Sequence, residues 1–71
     1  MSYKAAQIKV AKELLEMHEI GFKCKNNDYH FIIEDSIDFW PTSKGSLWII
    51  RKTGKRNYGL QTLIDEILKY R

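Results

Sequence analysis

The chain has 71 residues, 44% hydrophobic and 13% aromatic, with a formal net charge of +3. That describes one small domain, residues 1–71, with a single core. It is too short for a Rossmann fold or a barrel and too apolar for a disordered tail.

The first predicted element is a helix from Ser2 to His18. Tyr3, Ala6, Val10, Leu14 and Met17 recur at three- and four-residue spacing, joined by Ala11 and Leu15. Ser2 is expected to cap it, and Gly21 to supply the left-handed residue that ends it. Beyond Gly21 the period changes to two. Phe22–Lys25 reads as a short strand, and Asn26-Asn27-Asp28 as a turn, because Asn and Asp tolerate positive φ. Tyr29–Glu34 reads as the best strand, with Tyr29, Phe31 and Ile33 on one face and His30, Ile32 and Glu34 on the other. Asp35-Ser36 breaks or bends that run. Ile37–Trp40 is a further strand, stopped by Pro41, which cannot donate to a ladder. Thr42–Gly45 is a turn, and Leu47–Arg51 a strand rich in Trp and Ile. Lys52–Asn57 reads as a basic loop around Gly54. A closing helix runs from about Tyr58 or Leu60 to Tyr70, with Leu60, Leu63, Ile64, Ile67 and Leu68 as its apolar stripe. The expected fold class is α+β: a two-layer α-β-β-β(-β)-α arrangement, with an antiparallel meander sheet and both helices on one face.

Two helices cover only one sheet face. The uncovered face must therefore include some of His30, Ile32, Trp40 and either Trp48 or Ile49. Cys24 is the sole cysteine, which excludes an internal disulfide and points to a reducing cytoplasm. Lys4, Lys9, Lys12 and Glu13 interrupt the first residues, so a signal peptide is not expected. The longest uncharged stretch, Asn57–Ile64, is far below the roughly 18 apolar residues of a membrane span.

The charge is bipolar. Residues 13–38 carry seven acids against Lys23 and Lys25. Residues 39–64 carry Lys44, Arg51, Lys52, Lys55 and Arg56 and no acid. Such a segment is a plausible footprint for an anionic partner. Thr53-Gly54-Lys55 is not a phosphate loop, since Ile49 stands where the first glycine belongs and Arg56 where Ser or Thr belongs. Gly54–Gly59 does lead into a helix, and helix N-termini attract anions. Glu34 and Asp38 lack a third metal ligand, and His18, His30 and Cys24 have no zinc spacing. No acid, base and pocket assemble, so neither catalysis nor a cofactor is expected.

The run Ile37-Asp38-Phe39-Trp40-Pro41-Thr42, with Gly45, Trp48, Arg51, Thr53-Gly54-Lys55-Arg56, Gly59-Leu60 and Leu63-Ile64, resembles a family of short, uncharacterised phage and prophage proteins. The likeness covers about half the chain and implies a phage accessory role in the cytoplasm of a host cell. The run departs from the family pattern at Asn57 and Tyr58, where a further Gly-Arg pair is expected. In element order and in the basic start of its second helix, the chain also resembles double-stranded RNA-binding domains; their loop between the first strands is replaced by Asn26-Asn27-Asp28.

The sequence thus predicts a non-catalytic nucleic-acid-binding module, for RNA or DNA. Lys44, Arg51, Lys52, Lys55 and Arg56 would contact phosphates, and Trp48 or Trp40 would stack. The alternative is a small inhibitor or adaptor that binds a host enzyme or defence complex, in the manner of anti-CRISPR proteins. A homodimer through the open sheet face is compatible with either reading.

Overall fold

A computed structural model of the chain describes residues 3–70. The element order is α1 (Tyr3–Met17), β1 (Phe22–Lys25), β2 (His30–Ile33), β3 (Ile37–Phe39), β4 (Leu47–Ile50), β5 (Arg56–Tyr58) and α2 (Leu60–Lys69). The five strands form one antiparallel sheet in sequence order, so every connection is a hairpin. The α+β meander matches the expected class, and the radius of gyration is 11.2 Å.

One core joins the layers. Phe31, Ile33, Ile37, Phe39 and Trp48 from the sheet pack against Ala11 and Leu15 of α1 and Leu63, Ile64 and Ile67 of α2. Strand alternation produces this face: cross-strand partners Phe31 and Phe39, then Phe39 and Trp48, lie side by side on it. Phe31 meets Phe39 edge-on with ring centroids 5.9 Å apart, and stacks on the other side against Phe22 at 5.3 Å. Trp48 is buried, and its indole Nε1–H donates to Thr62 Oγ1 at 3.1 Å, tying β4 to α2.

Three local expectations are corrected. First, Glu19, not Gly21, takes the left-handed conformation after α1, at φ 57°. The Ile20 N–H bonds to the Leu15 carbonyl at 2.8 Å and the Glu19 N–H to the Glu16 carbonyl at 3.0 Å, which is a Schellman closure. Ile20 and Leu15 are both buried, and their packing holds this end in place. The expected Ser2 cap lies outside the described residues. Second, the segment read as a basic loop is a tight hairpin. The Gly54 N–H bonds to the Ile50 carbonyl, the Ile50 N–H bonds to the Lys55 carbonyl, and β5 follows at once. Arg56-Asn57-Tyr58 has no apolar alternation, so only pairing with β4 makes it a strand. Third, Leu68 is 40% exposed, while Glu66 is drawn inward to pair with Lys55. In the turn before β4, Gly45 has φ 76°, and a Cβ there would stand 2.9 Å from the Tyr58 ring. The close approach seats the edge strand against this turn.

Candidate functional site

The uncovered sheet face carries two cross-strand rows. The first is Lys23, Ile32, Asp38, Ile49 and Arg56, in register across all five strands. The second begins with Lys25 opposite His30 and ends with Leu47 opposite Tyr58. Trp40 fills the gap between them: its backbone N–H donates to the Leu47 carbonyl at 2.9 Å, and its ring stacks on His30 at 4.8 Å and 11°. Ile32 is buried among its neighbours, Trp40, Leu47 and Ile49 are half-buried, and Tyr58 is 53% exposed.

Asp38 is the hub of this face. Arg51 grips its carboxylate with two hydrogen bonds, Nε to Oδ2 at 2.8 Å and NH2 to Oδ1 at 2.7 Å. His30 Nε2 also lies 2.8 Å from Oδ1. An ionised carboxylate only accepts, so the proton sits on Nε2 and His30 donates. The Arg51 hydrogen bond, aided by that from His30 and opposed by partial burial, lowers the Asp38 pKa to about 2. The chain Arg51–Asp38–His30–Trp40 thus fixes the orientation of the indole at the centre of the face.

The cations expected to act together are divided. Lys55 and Arg56 are adjacent in sequence, and strand alternation sends them to opposite faces. Arg56 joins the open face opposite Ile49. Lys55 turns to the helix layer, where its ammonium meets Glu66 at 2.8 Å and its pKa is raised by that bond. Neither residue stands at the start of α2, which opens after Gly59 at φ 98° with no side-chain cap. Lys44 and Lys52 lie in exposed turns at opposite ends of β4. Arg51 is on the open face but carries Asp38. Trp48, expected as a stacking group, is 1% exposed in the core, and Trp40 holds the open-face position instead. The acid-free segment therefore forms no single cationic surface. Sequence reasoning missed Lys23 and Lys25. The alternation of Phe22-Lys23-Cys24-Lys25 was the available signal, because it places both lysines opposite the core-facing Phe22 and Cys24.

The four cations Lys23, Lys25, Arg51 and Arg56 share the open face with one strand carboxylate, Asp38. Asp35, in the turn between β2 and β3, approaches Lys23 only to 3.7 Å, with both side chains well exposed, so it screens that charge weakly. Cys24 lies on the covered side, and burial first, then Asp28, raises its thiol pKa away from nucleophilic use. Among the described residues no three His, Cys, Asp or Glu side chains gather to hold a metal ion, and no helix is long and apolar enough to cross a membrane. No protein-family model, curated protein or solved structure matches the chain.

Proposed function

We propose that the protein is a non-catalytic accessory module, of the phage type its motif run resembles, that binds single-stranded nucleic acid on its open sheet face. The observation that carries this reading is the row Lys25, His30, Trp40, Leu47 and Tyr58, which sets three rings between Lys25 at the β1 edge and the β5 edge, where Arg56 stands two residues from Tyr58 on the same face. Cations at the two sheet edges suit a backbone crossing the strands, and rings between them suit unpaired bases. A duplex hides its bases from such rings, which favours a single strand. A second reading has its own support: Trp, Tyr and Arg together are the composition of protein-interface hot spots, so an acidic host protein fits Trp40, Tyr58, Arg51 and Arg56.

Titration of labelled single-stranded oligonucleotides tests the first reading. The logarithm of the affinity should fall linearly with that of salt, with a slope near −0.7 per phosphate contacted. The double variant Lys25→Glu with Arg56→Glu should weaken binding at least about tenfold, whereas Lys55→Gln should change it little, because Lys55 is committed to Glu66. If neither single strands nor duplexes are retained at low salt, the nucleic-acid reading is lost and the protein-partner reading stands.

A further inference from the structure

Helix α1 carries two apolar stripes. Ile8, Ala11 and Leu15 turn to the core. Tyr3, Val10 and Met17 remain 79%, 49% and 70% exposed. These three stand seven residues apart, so they drift only about 20° per step and form a nearly straight seam, roughly a third of a turn round the helix from the core stripe. We propose that this seam pairs with its own copy, α1 against α1, in an antiparallel two-fold dimer centred on Val10.

The spacing is self-complementary. A two-fold axis through Val10 sets Tyr3 against the partner's Met17, and Met17 against the partner's Tyr3. Beside Tyr3 runs a groove of about 320 Å³, lined by Ala6, Val10, Phe39, Pro41 and Leu60. The partner's Met17 would fill it, with its thioether against the Tyr3 ring.

Charge selects the antiparallel sense. Lys9 and Glu13 lie on one flank of the seam, more than half exposed and 4.0 Å apart. In an antiparallel pair like flanks meet, and the axis at Val10 sets each Lys9 as near along the helix to the partner's Glu13 as to the partner's Lys9, with the two Glu13 far apart, so two attractive pairs outweigh one repulsive pair. A parallel pair would oppose this flank to the one bearing Gln7 and Leu14, which carries no charge to match. Antiparallel helix dipoles favour the same sense. The seam belongs to the helix layer, so the open sheet face of each chain stays free and the proposal does not depend on what it binds. A seam of this length is at the small end of protein interfaces, below about 1,200 Å² in total, the range of weak and transient contacts.

Sedimentation equilibrium of the full chain from about 1 µM to about 1 mM should show the mass rising from one chain to two. Val10→Glu brings two carboxylates together at the axis and should weaken association at least about tenfold. Its helical circular dichroism should stay unchanged, because Val10 is half exposed. Lys9→Glu should weaken the dimer, and adding Glu13→Lys should restore it. In a Cys24→Ser background, Val10→Cys should cross-link to itself on oxidation. Tyr3→Cys should not, because antiparallel packing separates the two copies of that position by roughly 21 Å. A chain that stays monomeric at the highest concentration, a dimer that ignores Val10→Glu, or self-cross-linking of Tyr3→Cys would overturn the proposal.

Discussion

A single carboxylate organises the open face. Asp38 receives Arg51 and His30 together, and only 18% of its side chain is exposed, so its charge is held in place rather than solvated freely. Its pKa near 2 makes a stability statement. A depressed carboxylate contributes stability that is complete above its unfolded pKa, near 3.9, and is lost as pH falls through the folded value. The unfolding free energy from urea titrations should therefore drop between about pH 4 and pH 2, by about 1–2 kcal/mol after screening by solvent. Asp38→Asn should flatten that acid limb and cost a similar amount at neutral pH. An unchanged acid limb in the variant would mean that other carboxylates carry the effect. The aspartate itself was legible as an open-face residue, since it alternates with Ile37 and Phe39. Its partners were not. His30 and Arg51 lie eight and thirteen positions away, and only the register of β2, β3 and β4 brings them together.

At the scale of elements, periodicity located both helices and the first four strands, because each buries one face and repeats accordingly. It failed where packing, not pattern, decides. The strand β5 exists because β4 offers an unpaired edge and Gly45 lets Tyr58 approach. The end of α1 is a second case. Glycine was expected to hold the left-handed position, and Gly21 was the only candidate by type. The buried contact of Ile20 with Leu15 instead places that position at Glu19. A non-glycine residue there carries strain of about 1 kcal/mol. Glu19→Gly should therefore stabilise the protein by about 0.5–1 kcal/mol, read as a higher urea midpoint with an unchanged slope. A lower midpoint would show that the contacts of the Glu19 side chain outweigh its backbone strain.

The whole molecule is a two-layer object whose faces differ in chemistry, and its two tryptophans report on the layers separately. Trp48 is sealed beneath α2, whereas Trp40 is half-buried on the open face. Acrylamide should quench the emission of Trp48→Phe, which retains Trp40, several times more strongly than that of Trp40→Phe. Equal quenching would contradict the layer assignment. Trp48→Phe should also lose about 1.5–3 kcal/mol, since it abandons the bond to Thr62 and leaves a cavity. Hydrophobic spacing alone determined the α+β class and the positions of both helices and four strands, but left open whether Trp48 or Ile49 belongs to the uncovered face. Such periodicities are local, because each side chain's direction follows from its neighbours along the backbone. Tertiary structure decided which charges act together: it split Lys55 from Arg56, bound Arg51 to Asp38, and put the β1 lysines and a β5 arginine on one face at opposite edges of the sheet. Electrostatic grouping depends on distance through space, and that distance is set by strand pairing between residues far apart in the chain.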